Sequence, residues 1–150
     1  MDIIQIDRSK KFDPNQFLGG KWKIKEEDAR SLALTEIDLS QIQLVTMLKP
    51  GETSIAGDNA GTERFMRLKE AGYIRLDVEV FLTLWENKHR IPGLWKEVGR
   101  VNRNSHHCIY FDGTIFENPQ GNSYVLSLFE SSGQWYHHCC WLDGRWGGSN

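Results

Sequence analysis

Several features that mark large classes of protein are missing from this sequence of 150 residues. No apolar run reaches the roughly 18 residues that a membrane-spanning helix needs, and the start at Met1 lacks the basic and apolar regions of a secretory signal. There are only three cysteines, an odd number that does not indicate a disulfide framework. We therefore expect a protein of the reducing cytoplasm with no membrane contact.

A strong excess of charge of one sign is also missing. The 18 basic and 20 acidic side chains give a net charge of −2, which provides no electrostatic reason to expect nucleic acid or an anionic membrane as the main partner. The length and the hydrophobic content of 39% suffice for one core. We predict a single domain over residues 1–150.

The apolar pattern predicts an α+β fold based on antiparallel sheet. Ile4 and Ile6 alternate with polar residues, as do Trp22 and Ile24, which is the period of half-buried N-terminal strands. Residues 105–146 predict a C-terminal meander of three to four antiparallel strands.

Turn-forming residues divide this meander. Residues 112–113, Asp-Gly, lie between two apolar runs and predict a two-residue hairpin, since the favoured turns need positive φ. Further turns are predicted at 119–122 and 131–134. Residues 32–48 are ambiguous between strand and helix, and we favour strands with a break near Ser40.

Two short helices are predicted in the middle of the chain. Thr62 can cap the first, which runs to Ala71, and Gly72 is placed to end it. Asp77 can cap the second, at 78–87, whose apolar residues recur at i, i+3, i+4 and i+7.

A near-repeat of histidine and cysteine dominates the C-terminal third. Residues 106–113, HHCIYFDG, return at 137–144 as HHCCWLDG, and the two segments hold all three cysteines and four of the five histidines. Tetrahedral zinc accepts two imidazoles with two thiolates. Such a set is offered by His106, Cys108, His137 and Cys139.

Strand geometry limits the chemistry of this repeat. If the two segments are strands one and four of an open meander, they lie roughly 14 Å apart, and zinc binding requires the sheet to close. A thiolate at Cys139 or Cys140 with a histidine base is a second chemical hypothesis. We favour a third interpretation, in which these residues are simply packed.

The segment 88–103 is a second candidate site, because basic residues there surround an aromatic one. Five basic side chains and one acidic side chain, Glu97, lie in it. The candidate partner-binding residues are Lys88, Arg90, Trp95, Lys96, Arg100 and Arg103.

These observations predict a small non-catalytic binding or regulatory protein, without a cofactor, that acts through a macromolecular partner, expected to be a protein. The aromatic face of the sheet and segment 88–103 are the candidate surfaces. One alternative is a zinc-binding or cysteine-dependent enzyme that uses the His/Cys repeat. The other is a nucleic-acid binder that uses the basic segment.

Several short segments resemble a family of small bacterial proteins of unknown function. They are RSLALTEIDL at 30–39, IRLD at 74–77, LWEN at 84–87, FDGT at 111–114 and YVL at 124–126. The resemblance spans most of the chain and implies no activity, cofactor or catalytic residue. The His/Cys repeat departs from the family's pattern, so the resemblance does not imply a metal site.

Overall fold

The computed structural model describes residues 2–9, 11–45, 47, 49–51, 60–98 and 108–142. The strands are β1 (Ile3–Gln5), β2 (Lys23–Glu27), β3 (Glu36–Asp38), β4 (Ile109–Glu117), β5 (Ser123–Ser131) and β6 (Gln134–Trp141). The α-helices are α1 (Pro14–Phe17), α2 (Ala29–Leu32), α3 (Ala60–Ala71), α4 (Val78–Glu86) and α5 (Gly93–Val98). Short 3-10 helices lie at Leu39–Gln41 and Lys88–Arg90.

The strands form two antiparallel sheets. The larger sheet has the order β2-β4-β5-β6, and β1 pairs with β3 in the smaller one. The predicted α+β class, with N-terminal strands and a C-terminal meander, is confirmed. In the part of the chain that the structure describes, no helix is both long and apolar enough to cross a membrane.

Helices cover both faces of the larger sheet. On one face, Phe81 of α4 packs in the main core with Phe111 and Leu128. On the other face, Phe65 of α3 packs with Val125 of β5 in a smaller cluster. Alternate residues of β4, β5 and β6 therefore belong to different environments, the α4 face and the α3 face.

The predicted hairpin at residues 112–113 is wrong. Strand β4 continues through both residues and forms a large bulge. Phe111 pairs with Leu126 and Phe116 with Tyr124, so β4 advances by five residues where β5 advances by two. The Gly113 amide donates to the Leu76 carbonyl at 2.9 Å, and a Cβ on Gly113 would lie 2.2 Å from the carbonyl oxygen of Arg75. Glycine is needed here for close backbone approach, which a sequence pattern does not distinguish from a turn.

The other two turns of the meander are confirmed. Gly121 has a φ of 84° within the first, and Ser132 and Gly133 have φ values of 54° and 81° in the second. Two central residues with positive φ match the turn that suits the right-handed twist of a hairpin.

The two predicted helices are present, with one change at the start of the first. Helix α3 begins at Ala60 rather than after Thr62, whose amide donates to the Leu142 carbonyl at 3.0 Å. Gly72, with a φ of 77°, follows its end as predicted. Asp77 caps α4 through a 2.8 Å hydrogen bond from the Glu79 amide.

Strand formation in residues 32–48 was overestimated. Among the described residues of this segment the only strand is β3, and the segment before it forms α2, which Asp28 caps through the Arg30 amide. Helices α1, α2 and α5 have four to six residues, too few for a helical period to be read from the sequence.

A buried polar network centred on Asp77 joins three parts of the chain. Its carboxylate accepts hydrogen bonds from both terminal nitrogens of Arg8, at 2.9 and 3.1 Å, and from the Ser31 hydroxyl. Burial by itself raises the pKa of Asp77, but the hydrogen bonds from Arg8 and Ser31 outweigh it and hold the pKa below its ordinary value. The network fixes the start of α4 against α2 and the segment that follows β1.

A second part of the network reaches the bulge of β4. The Asp28 carboxylate accepts from the Arg75 amide at 2.9 Å, and the Arg75 guanidinium donates to the Asp112 carbonyl at 3.0 Å. The Thr114 hydroxyl accepts from the Val78 amide at 2.9 Å. Most of these groups are buried, so their pairing stabilises one specific arrangement of the segments.

The close approach at Gly113 predicts that Gly113→Ala is strongly destabilising. The added methyl group would meet the Arg75 carbonyl oxygen, so the strand must shift or its hydrogen bond to Leu76 must open. We expect a loss of about 3 kcal/mol in the free energy of unfolding, measured by urea denaturation. Gly20→Ala is the matched control, since a Cβ there meets no atom within 4 Å. Equal effects of the two changes would contradict this account.

Asp77→Asn removes the charge of the network while keeping the cap of α4, because asparagine also caps helices. We expect a loss of about 3 kcal/mol at pH 7, since Arg8 loses the carboxylate that it contacts through two nitrogens. Folding lowers the pKa of Asp77, so the carboxylate stabilises the fold above its ordinary value of 3.8 and this contribution disappears as the pH falls further.

The difference in unfolding free energy between wild type and Asp77→Asn should therefore shrink as the pH is lowered from 7 to 2, below the ordinary value of 3.8. Asp13→Asn, at the exposed cap of α1, is the control and should differ from wild type by less than about 0.5 kcal/mol at both pH values. A difference for Asp77→Asn that is the same at pH 7 and pH 2 would exclude the charged network as its cause.

Candidate functional site

A cavity of about 560 Å³ lies between β4, α3 and the segment from Leu34 to Val45. Its volume is within the range of roughly 300 to 1,000 Å³ that is typical of small-molecule sites. Most of its surface is apolar, with contributions from Ile42, Leu44 and Ile74. The cavity is the candidate functional site because a few polar side chains converge on this apolar surface.

The first polar group in the cavity wall is an ion pair between Arg64 of α3 and Asp112 of β4. The guanidinium also lies over the ring of Tyr110, 4.8 Å from its centroid. Asp112 is only 3% exposed, and its Oδ1 is buried and accepts no hydrogen bond from the described residues. Such an oxygen is costly unless a ligand or water donates to it.

Cys108 also lines the cavity, and Cys140 lies on the same face of the sheet. The Sγ of Cys140 lies 3.4 Å from the Ser127 hydroxyl and 3.4 Å from Nδ1 of His138. Hydrogen bonds to the thiolate, opposed by burial, lower the pKa of Cys108 to about 7.

The pKa values of Cys140 and Tyr110 shift in the opposite direction. The neighbouring thiol groups, together with burial, raise the pKa of Cys140, so Cys140 keeps its proton at neutral pH. Burial and the neighbouring Cys108 raise the pKa of Tyr110. The site can therefore hold one thiolate, at Cys108, with neutral donors around it.

The structure does not bring the predicted zinc set together. His106 lies outside the described residues. Cys108 is on the α3 face, whereas His137 and Cys139 are on the α4 face, where His137 packs on Trp85 at 4.6 Å between ring centroids. Burial raises the pKa of Cys139 to about 12. In the described ranges no three His, Cys, Asp or Glu residues are grouped to hold a metal ion.

The expected separation of about 14 Å between the two His/Cys segments depended on the hairpin at 112–113. Without that hairpin, β5 alone separates β4 from β6, and Cys108 shares the α3 face with Cys140 rather than with Cys139. The alternation of His138 and Cys140 along one strand was a sequence signal for a shared face. Nothing in the sequence indicated that Arg64 and Asp112 would pair, because this contact depends on how α3 lies on the sheet.

The basic segment 88–103 is described only in part. Trp95 is 5% exposed and belongs to the main core, so it does not present its ring to a partner. Lys88 and Arg90 are exposed, but Lys88 lies over the Trp85 ring at 3.8 Å and Arg90 donates to the Ile3 carbonyl at 2.9 Å. Three further candidates have side chains outside the described part of the structure: Lys96, Arg100 and Arg103.

Comparisons with protein-family models, with curated proteins and with solved structures found no match. The resemblance to small bacterial proteins therefore stays a prediction. Three of the segments that carry it, at 30–39, 74–77 and 111–114, meet in the polar network. Their side chains hold the fold and border the cavity.

The ion pair of the cavity predicts strong coupling between Arg64 and Asp112. Arg64→Met or Asp112→Leu alone leaves one charge buried without this partner, and we expect each to lower the free energy of unfolding by about 3 kcal/mol. The double variant replaces both charges by apolar groups, so we expect it to be more stable than either single variant.

Urea denaturation of the four proteins measures this coupling. Lys23→Met is the control, because its ion pair with Glu117 is exposed on the lysine side and should contribute less than about 1 kcal/mol. Additive effects of Arg64→Met and Asp112→Leu would contradict a desolvated pair.

Proposed function

We propose that this chain is a small non-catalytic binding protein and that the cavity beside Arg64 and Asp112 is its binding site. The observation that carries the proposal is the buried Oδ1 of Asp112, which has no donor among the described residues while its carboxylate borders an apolar cavity. A ligand with an N–H or O–H group would supply that donor. Its apolar body would fill the remaining volume.

The charges around the cavity narrow the ligand further. Arg64 is already paired with Asp112, so an anionic ligand would have to displace a buried carboxylate. Glu36 and Asp38 also border the cavity, which further disfavours a negative charge. The ligand that fits is an apolar, neutral or cationic group with one hydrogen-bond donor, either a free small molecule or a side chain of a protein partner.

All three cysteines are free thiols. Free thiols persist in reducing compartments, which supports the proposal that the protein acts in the cytoplasm. The rest of segment 88–103, without the buried Trp95, stays our prediction for the surface that binds a protein partner.

Indole and benzothiophene test the role of Asp112, because they have similar shapes and only indole carries an N–H donor. We expect indole to bind about tenfold more tightly, which corresponds to roughly 1.4 kcal/mol for the hydrogen bond to a carboxylate. Titrations followed by amide chemical shifts or calorimetry measure both affinities. The Arg64→Met/Asp112→Leu double variant should lose this preference, since it retains no acceptor at that position.

Two further variants separate binding in the cavity from binding elsewhere. Leu44→Trp fills the cavity and should abolish binding of both compounds. Leu94→Ala, at a side chain that is 76% exposed and outside the cavity, should change neither affinity. N-acetyltryptophanamide distinguishes the two sources of ligand, because tighter binding than indole favours a protein side chain. Equal binding of indole and benzothiophene to wild type, or unchanged binding to Leu44→Trp, would overturn the proposal.

A further inference from the structure

We infer that the ligand of the cavity is a cation, a protonated amine attached to an apolar body, and that Glu36 and Asp38 hold its ammonium group at the mouth of the cavity. The inference rests on the proposed function, since it concerns the same cavity, and it adds the charge that the ligand carries. Its basis is the way in which the charges of the cavity wall are paired.

The charges that line the cavity do not balance. Among the described residues of its wall, the charged side chains are Glu36, Asp38, Arg64, Arg75 and Asp112. Arg64 pairs with Asp112, and Nε of Arg75 lies 3.7 Å from the carboxylate of Asp28, which is outside the wall. Both guanidinium groups thus already have a carboxylate partner, and the negative charges of Glu36 and Asp38 are in excess.

Glu36 and Asp38 can act together on one ligand group. They lie two positions apart on β3, so their side chains leave the strand on the same side. Oε2 of Glu36 accepts from Gln5 at 2.8 Å, and Oδ1 of Asp38 accepts from the Ser40 hydroxyl at 2.6 Å. Within the described ranges neither carboxylate forms an ion pair, so each keeps a second oxygen for the ammonium group of a ligand.

The depth of the three carboxylates orients the ligand. Glu36 is exposed and Asp38 is half-buried, whereas Asp112 is buried. Glu36 and Asp38 therefore lie at the mouth and Asp112 lies at the bottom, where its Oδ1 has no donor among the described residues. An N–H of the apolar body would donate to Asp112, while the ammonium group at the mouth keeps part of its hydration. This arrangement avoids the cost of burying a second positive charge beside Arg64.

Three indole derivatives test the charge of the ligand. Tryptamine, tryptophol and indole-3-acetate share the indole N–H and have side chains of similar length that are positive, neutral and negative at pH 7. We expect tryptamine to bind about fivefold more tightly than tryptophol, as for a partly exposed ion pair. Indole-3-acetate should bind most weakly. Calorimetry measures the three affinities, and the gain of tryptamine should shrink at about 0.5 M salt.

A double variant tests the two carboxylates at the mouth. Glu36→Gln/Asp38→Asn removes both charges and keeps an oxygen that can accept from Gln5 and Ser40. Tryptamine should lose its preference over tryptophol in this variant, while the affinity for tryptophol should stay within about twofold of wild type. The matched control, Asp13→Asn/Glu70→Gln, removes the same two charges from positions outside the cavity wall and should keep the preference in full.

The source of the cation can be a free amine or a basic side chain of a protein partner. N-acetyltryptophanyl-lysinamide carries both the indole and an ammonium group on a peptide, so binding tighter than that of tryptamine favours the protein partner and weaker binding favours the free amine. Either order fits a cationic ligand.

The outcomes separate this inference from the proposed function. Equal affinities of wild type for tryptamine and tryptophol, or a preference for tryptamine that persists in Glu36→Gln/Asp38→Asn, would show that the ligand charge is not recognised at the mouth. Either result would overturn the inference and leave the proposed function standing. Failure of indole and of all three derivatives to bind wild type would overturn both.

Discussion

The arrangement of the segments depends on one buried carboxylate, that of Asp77. It caps α4 and accepts hydrogen bonds from two nitrogens of Arg8 and from the Ser31 hydroxyl. It therefore fixes three parts of the chain that are far apart in sequence. The apolar contacts of α4 contribute more stability, but they are compatible with several positions of the helix on the sheet. A buried and fully paired carboxylate accepts only one position, because any other leaves its charge without partners.

The cavity follows from that position. With α4 fixed, the preceding residues Arg75 and Leu76 run against the bulge of β4, where only Gly113 allows the two backbones to approach. Regular pairing of β4 with β5 ends at Phe111, and the bulge begins at Asp112. Up to that point the alternation of side chains puts Cys108, Tyr110 and Asp112 on the α3 face. Helix α3 brings Arg64 to that face, and the space left beside this pair is the cavity. The site is thus a consequence of the polar network rather than an addition to it.

Local patterns in the sequence predicted the features that depend on few residues. The cap and apolar face of α4, the turn at Gly133 and the strands of the meander all have a periodic or single-residue cause. The bulge was not predictable, since Asp-Gly is used equally for a tight turn and for close backbone approach. This one error changed the number of strands between the two His/Cys segments, and with it which of their residues share a face of the sheet. The pairing of Arg64 with Asp112 depends on tertiary packing and leaves no local pattern.

The cavity face is also where the chain departs from the arrangement that stability alone would favour. Apolar groups of similar size in place of Arg64 and Asp112 would avoid the desolvation of two charges, and a donor for the second oxygen of Asp112 is missing among the described residues. Hydrogen bonds likewise hold the pKa of Cys108 below its ordinary value. These departures lie beside the cavity, although buried polar atoms without a hydrogen bond among the described residues also occur away from it, at Oε2 of Glu79 and Nε1 of Trp135. The desolvated charges of Arg64 and Asp112 would be offset by ligand binding if the cavity has the function that we propose.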